Sequence, residues 1–310
     1  MITEKRKIAL WCLTATLVLQ GCGLTKNQKT GIETFGQAAA TLGASSKDHF
    51  IAFRENVIEM KKSQLAMERF ILPASQPDGT PPTREYYFSN SLNLDSGLDQ
   101  DNIEKRVAAV ELLQRYGNLL VSFTSDTQEK DLRDASDKFA RSVESFTDNP
   151  STSEEVKGLG DLVMIAGSFL VEHKKKDALE IIVPTVTPLI VNICDSIERD
   201  FDPKKKGITS NIRFAQDRLA SDAINGLKQA EGSLSDRLLL INGFALAEKN
   251  REYIAATSKY LLKAVASLRT ANNQLLQVIG HNKVGINEIR EFSEDVADTA
   301  KAVKPFIGRF

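Results

Sequence analysis

Hydrophobic positions recur at helical spacing along most of the chain. Between Phe35 and Ile71, eleven positions three or four residues apart form one stripe, and eight of them are apolar. The stripe consists of Phe35, Ala39, Leu42, Ser46, His49, Phe53, Val57, Met60, Gln64, Met67 and Ile71. This spacing places the stripe on one face of an amphipathic helix. The pattern predicts a helix of about 40 residues that ends before Pro73.

The C-terminal third carries a similar pattern. From Leu240 to Ile279, twelve positions alternate spacings of four and three, and nine are apolar. They are Leu240, Phe244, Ala247, Arg251, Ile254, Ser258, Leu261, Val265, Leu268, Asn272, Leu275 and Ile279. Such a repeat is typical of a coiled-coil seam. Gly280 and Gly285 then predict a turn before a last amphipathic helix.

The segments between these two patterns are also helical in character. Asp101 and Glu104 have the spacing of a capping box, which predicts a helix from Asp101 to about Thr124. The pattern restarts near Asp126 and continues to Phe146. Asn149 and Pro150 break it, and residues 151–154 (Ser-Thr-Ser-Glu) form a capping box for the next helix.

Two apolar segments in the middle of the chain, 159–171 and 178–193, flank a charged turn. They resemble the membrane-inserting hairpin of helical pore-forming toxins. Their 13 and 16 residues are fewer than the roughly 20 that span a bilayer. A helix that is apolar nearly all round is usually the buried centre of a bundle, and Pro184 and Pro188 would kink it. Core packing is therefore favoured, and membrane insertion by 159–193 stays the alternative.

These patterns together predict an all-α fold, a bundle of long antiparallel amphipathic helices. No strand-like alternation lasts long enough to build a sheet. The 310 residues contain 42% hydrophobic and 26% charged residues, a globular composition that excludes wholesale disorder and a polytopic membrane protein. The formal net charge of -1 gives no general positive field for nucleic acid. We expect residues 31–310 to form a single domain.

The first residues have the three parts of an export signal. Lys5, Arg6 and Lys7 form a basic start, and residues 8–19 are mostly apolar. Twelve residues match the apolar region of a signal peptide and are too few for a stable spanning helix. The predicted signal peptide covers residues 1–21. An uncleaved anchor or an ordinary secreted protein is the alternative.

The sequence Leu19-Gln20-Gly21-Cys22 resembles the lipobox of bacterial lipoproteins. This resemblance covers the leader alone. It implies cleavage before Cys22 and attachment of lipid to its sulfur, with residues 22–30 as a lipidated tether. Gly23, rather than Asp, follows the cysteine and by the same resemblance favours the outer membrane. The expected lipid anchor would fix the protein in the bacterial envelope, on a face that the sequence does not specify.

The number and positions of the cysteines agree with a lipid-anchored location in the bacterial envelope. Of three cysteines, Cys12 would leave with the signal and Cys22 would carry lipid, so Cys194 would remain alone. A disulfide within the mature chain is then excluded. Cys194 follows an apolar run, which predicts a buried, inert thiol rather than a nucleophile.

Residues 73–97 contain four of the nine prolines and predict a long irregular loop. Tyr86, Tyr87 and Phe88 stand together in it. An exposed aromatic cluster would be a contact site for a partner protein. The alternative is that these rings pack back against the bundle and hold the loop in place.

No motif indicates catalysis. The three histidines, His49, His173 and His281, lie on separate segments, and no pair has the spacing of a zinc helix. His49 falls on the first apolar stripe, where a hydrogen-bonded core histidine is favoured over a metal ligand. A di-iron bundle would need Glu-x-x-His pairs, which the sequence lacks. We therefore expect neither a metal site nor a cofactor.

The functional expectation is a non-enzymatic lipoprotein. Its helical body would bind another envelope protein or support an envelope assembly, with no nucleic-acid partner. Membrane perturbation by the apolar hairpin 159–193 is the alternative function. An enzyme built from scattered carboxylates ranks last.

Overall fold

A computed structural model describes residues 23–67, 98–125, 129–147, 172–229, 233–280 and 286–303, and all regular elements within these ranges are α-helices. The seven helices are α1 (Lys26–Met67), α2 (Gln100–Thr124), α3 (Glu129–Thr147), α4 (Glu172–Phe201), α5 (Ile208–Gln229), α6 (Leu234–Gly280) and α7 (Asn287–Val303). The all-α fold class is thereby confirmed, and the bounds of α2 and α3 agree with the sequence prediction to within three residues.

The stripe predicted for α1 is its buried face. All ten of its members up to Met67 are buried, including the polar side chains of Ser46, His49 and Gln64. The face packs against other helices because helical spacing repeatedly returns these positions to the same side. Ile71, the eleventh member, lies outside the described residues.

Helix α1 begins earlier than the sequence predicted. The Thr25 backbone N–H donates to Oε1 of Gln28 at 2.9 Å, and the Gln28 N–H donates to Oγ1 of Thr25 at 3.3 Å. This reciprocal pair is a capping box, which satisfies two backbone donors at the helix start. Residues 26–30, expected as part of the tether 22–30, therefore form the first turns of a helix.

The capping residue predicted for α2 is wrong. The helix begins at Gln100, and the Asn102 N–H donates to Oδ1 of Asp99 at 2.8 Å. Asp99 is thus the N-cap, and Asp101 lies within the first turn. Asp101 still favours the helix start, because a negative charge there interacts with the helix dipole.

Helix α4 contains both predicted interrupting prolines, Pro184 and Pro188. It ends at Phe201, two residues before Pro203, and a turn over 202–207 leads into α5. Gly207 is required in this turn, since a Cβ there would lie 2.6 Å from the Cα of Asp200. The Thr209 hydroxyl donates to the Asp200 carbonyl at 2.8 Å and joins the start of α5 to the end of α4.

The packing divides the chain into two compact units, each assembled from three stretches. Unit 1 comprises Met1–Ala40, Leu112–Val191 and Arg269–Ser293, and unit 2 comprises Thr41–Glu111, Asn192–Leu268 and Glu294–Phe310. Within both units, helices distant in the sequence pack together as a helical bundle. The single domain expected for 31–310 stays a prediction.

Aromatic side chains lie at the centre of unit 1. Phe35 contacts Tyr116 and Phe292, with ring centroids 6.4 and 5.6 Å apart, and Tyr116 also contacts Phe139 at 5.8 Å. All four side chains are buried. These contacts join four helices, because the rings come from α1, α2, α3 and α7.

Unit 2 has its own aromatic cluster. Phe53 of α1 contacts Phe201 of α4 and Tyr253 of α6, at centroid distances of 5.4 and 5.5 Å. Phe50 adds a further contact to Phe201 at 5.3 Å. The cluster fixes the end of α4, from which the turn to α5 departs.

Candidate functional site

The residues that the sequence predicts for attachment and partner contact lie outside the described residues. Cys22 precedes the first described residue, and Tyr86, Tyr87 and Phe88 belong to the range 68–97. Lipidation at Cys22 and partner contact by the three aromatic residues therefore stay predictions.

Of the apolar hairpin 159–193, only residues 172–193 are described. The turn predicted for the charged residues 172–177, between the two arms, is wrong, because these residues form the start of helix α4. Most large apolar side chains of the second arm are buried: Leu179, Ile182, Val183, Val186, Leu189, Ile190 and Ile193. Ile181 and Val191 are the exposed exceptions. By length and composition alone, Lys175–Phe201 of α4 is able to cross a membrane, and half of its most apolar stretch is buried. A buried helix at the centre of a bundle has the same composition. The first arm, 159–171, lies outside the described residues.

His49 is a core residue with a hydrogen-bonding neighbour. Its Nδ1 lies 3.1 Å from the Tyr253 hydroxyl, and its side chain is 2% exposed. Burial lowers the pKa of His49 to about 4, so the ring is neutral at physiological pH. Within the described ranges, no group of three or more His, Cys, Asp or Glu side chains is placed to hold a metal ion. Cys194 is buried, as its apolar neighbours predicted.

The start of α6 carries an exposed aliphatic stripe, defined as Leu234, Leu238 and Ile241. Their side chains are 75%, 49% and 47% exposed. The residues follow one another at intervals of four and three, so they share one face of the helix. They lie outside the repeat that begins at Leu240, which supplies most of the buried face of α6. The aliphatic stripe is thus a surface that unit 2 leaves open to solvent.

Unit 2 also contains a cavity of about 530 Å³. It lies between the turn after α4, the first half of α5 and the middle of α6. Its lining residues are Pro203, Thr209, Arg213, Gln216, Asp217, Arg251, Ile254, Ala255, Ser258, Lys259 and Leu262. Small-molecule sites typically occupy about 300–1,000 Å³ and combine an apolar wall with a few placed polar groups. The cavity has this size and this composition.

Positive charge predominates around the cavity. Arg251 forms ion pairs with Asp217 at 3.1 Å and with Glu248 at 2.5 Å, so its positive charge is compensated. Arg213 and Lys259 also line the cavity, and neither forms an ion pair among the described residues. Both are exposed, so an entering ligand would meet them from the solvent side. Lys259 also lies 5.4 Å from the ring centroid of its neighbour Tyr260.

Two buried polar side chains line the same cavity. Gln216 is 1% exposed and Ser258 is 5% exposed. Within the part of the chain that the structure describes, Nε2 of Gln216 and Oγ of Ser258 have no hydrogen-bond partner. Both atoms are closed to a water molecule, so they lie beneath the surface of the cavity rather than on it.

The comparisons with known proteins assign no family. No family model matches the chain, and neither a curated protein nor a solved structure matches it. The functional argument therefore depends on the chain's own residues.

Sequence reasoning missed both the aliphatic stripe and the cavity. One sequence feature indicates the stripe: Leu238, Leu239, Leu240 and Ile241 are consecutive, and one helical face has no room for four successive residues. Leu240 is buried, which leaves Leu238 and Ile241 together on an exposed face. The cavity had no comparable indicator, since it arises from packing between segments distant in the sequence.

Proposed function

We propose that the protein is a non-enzymatic lipoprotein, anchored through Cys22 in the bacterial outer membrane, whose helical body binds another envelope protein. In this proposal, residues 31–310 form the long antiparallel bundle that the sequence predicts. The lipobox resemblance supports the anchor. The aliphatic stripe at the start of α6 is the observation that supports protein binding.

We expect the partner protein to bind the aliphatic stripe through an amphipathic helix. Three large aliphatic side chains at successive turns form the row into which a second helix packs its own apolar positions. Burying such side chains contributes on the order of 1.5–3 kcal/mol each when burial is complete. A row of three is therefore sufficient to select a helix over an extended polar segment.

Site-specific crosslinking tests this surface. A photoreactive phenylalanine analogue at Leu238 is expected to capture one envelope protein in native membranes. The crosslink should disappear in the Leu234→Glu and Ile241→Glu variants. Because both positions are exposed, the thermal unfolding of these variants should be unchanged. Ile51→Glu is the matched control, because Ile51 is an exposed aliphatic residue on α1, at 40% exposure. A crosslink that persists in both charged variants would contradict the proposed surface.

The anchor and the aromatic loop have separate tests. Cys22→Ala should abolish incorporation of a labelled fatty acid and release the protein from the outer-membrane fraction. Deleting residues 77–90 should weaken the same crosslinked complex if Tyr86, Tyr87 and Phe88 also contact the partner. Unchanged crosslinking after that deletion would exclude the loop from the interface and leave the stripe assignment intact.

Membrane perturbation by 159–193 is the second candidate, and the length and composition of α4 favour it. The burial of most large apolar side chains in its described arm favours a core role instead. Dye release from liposomes separates the two. Release by the full chain that Val163→Asp abolishes would support the second candidate, and absence of release at any pH would contradict it.

A further inference from the structure

We propose that the cavity of unit 2 binds an amphiphilic organic monoanion, a compact apolar body carrying one carboxylate or comparable anionic group. This site is separate from the aliphatic stripe: none of its lining residues belongs to the stripe.

The charge balance selects the anion. Arg213, Arg251 and Lys259 line the cavity beside the carboxylate of Asp217, and a second carboxylate, that of Glu248, also pairs with Arg251. Since Asp217 pairs with Arg251, an entering anion meets Arg213 and Lys259 without displacing an existing ion pair. A cation would meet the opposite field, and a neutral ligand would leave the two charges uncompensated.

The walls select an apolar body. Ile254 and Leu262 of α6 both present aliphatic side chains to the cavity, and Ala255 and Pro203 add small apolar surface. Ile254 is 6% exposed, so it forms part of the floor. A ligand with a ring or a short chain would contact these groups while its anionic end stayed near the exposed cations.

The test uses 2-naphthoate as the probe. The full-length protein in lipid nanodiscs is titrated by calorimetry, with empty nanodiscs as the background. Saturable one-to-one binding is expected for 2-naphthoate, and binding at least about tenfold weaker is expected for 2-naphthol and for 2-naphthylmethylammonium. Equal binding of all three, or heat no greater than that of empty nanodiscs, would overturn the proposal.

Charge variants locate the binding. Arg213→Glu and Lys259→Glu should each weaken binding of 2-naphthoate by at least about tenfold, because each replaces an attraction with a repulsion. Lys105→Glu is the control, an exposed lysine on α2 outside the cavity lining. Equal affinities for all three variants would place the anion elsewhere and overturn the assignment.

A pair of bulky substitutions tests the location of the site by its volume. Ala255→Trp should occlude the cavity and abolish binding, whereas Ala297→Trp, an exposed alanine of α7 in unit 2, should not. Binding that survives Ala255→Trp would overturn the proposal.

Competition distinguishes two sources of the ligand. Displacement of 2-naphthoate by decanoate alone would assign an acyl chain derived from membrane lipid. Displacement by phenylacetate as well would assign a soluble aromatic acid. Failure of both competitors, with 2-naphthoate still bound, would contradict a site that selects for apolar anions as a class.

Discussion

A Cβ atom on Gly36 would lie 2.7 Å from the carbonyl oxygen of Gly117, so α1 and α2 approach each other backbone to backbone at this crossing in unit 1. The reciprocal position is equally crowded, because a Cβ on Gly117 would lie 2.5 Å from the backbone nitrogen of Ala40. The two glycines permit a separation between the helices that a larger residue would increase.

Gly117→Ala is therefore expected to destabilise the protein. The obstructing atoms belong to the backbone, so relief requires the helices to move apart, and such overpacking typically costs about 1–3 kcal/mol. Chemical unfolding measures the loss. Gly280→Ala is the control: nothing lies within 4 Å of a Cβ there, and its unfolding free energy should change by less than about 1 kcal/mol. Equal stability of the two variants would contradict the close approach.

Acid should destabilise the protein through His49. Its pKa in the folded state, about 4, lies below the ordinary value of 6.5 because burial penalises the charged ring. Between these values the unfolded chain binds a proton that the folded chain does not, so stability falls as the pH falls from 6.5 to 4. One proton changes the unfolding free energy by about 1.4 kcal/mol per pH unit, which amounts to about 3 kcal/mol over this range.

The nearest polar group does not remove this effect. The hydroxyl of Tyr253 faces His49, and burial, with a smaller contribution from Asp48, raises the pKa of Tyr253 to about 12. Tyr253 thus stays neutral across the acid range. The measurement is unfolding free energy against pH for the wild type and His49→Gln, which lacks the titrating ring. Parallel curves between pH 6.5 and 4 would show that His49 contributes nothing to acid sensitivity.

Asp200 should contribute more to the free energy of unfolding than an ordinary surface carboxylate does. Its side chain is 8% exposed and accepts two hydrogen bonds from Arg106, from Nε at 2.7 Å and from Nη2 at 3.0 Å. Asp200→Asn removes the charge while Arg106 stays in place, with an expected loss of about 1–3 kcal/mol. Glu59→Gln is the control, because Glu59 and Lys62 form a half-exposed pair. Its effect should stay under about 0.5 kcal/mol by the same unfolding assay; an equal loss there would argue against a special role for Asp200.

Gln28 joins the start of α1 to the end of α6. Its Nε2 donates to the Val278 carbonyl at 2.8 Å, within the last turn of α6, where carbonyls have no helical donor. Gln28→Leu removes this bond and one half of the capping box, with an expected loss of about 1–2 kcal/mol. Gln37→Leu, an exposed position on the same helix, should change the unfolding free energy by less than about 0.5 kcal/mol. A smaller effect at Gln28 than at Gln37 would contradict the tertiary role.

The sequence predicted the features that follow from periodicity. The buried face of α1 is confirmed residue by residue up to Met67, because helical spacing determines which side chains share a face. Even the polar side chains of His49 and Gln64 lie on this buried face. The spacing does not specify what those polar side chains meet: Gln64 donates to Asp222 at 2.9 Å, 158 residues away in the sequence.

Competition between neighbouring capping residues, and packing between segments distant in the sequence, explain the features that the sequence did not predict. Asp99 and Asp101 are both able to cap α2, and their spacing alone does not decide between them. The cavity depends on how α5 and α6 meet beside the turn at Pro203, a relationship that no sequence interval encodes. Arg213 and Lys259 are distant in the sequence, and only the fold places both at one cavity.

The burial of Cys194 makes its thiol a native probe of local opening of the helices. Its side chain is 0% exposed, so a maleimide or disulfide reagent reaches the sulfur only when the surrounding helices separate. At low reagent concentration the modification rate follows the population of the open state, and at high reagent concentration it approaches the rate of opening. Cys194 therefore allows local opening of the native protein to be measured without denaturant and without an engineered cysteine.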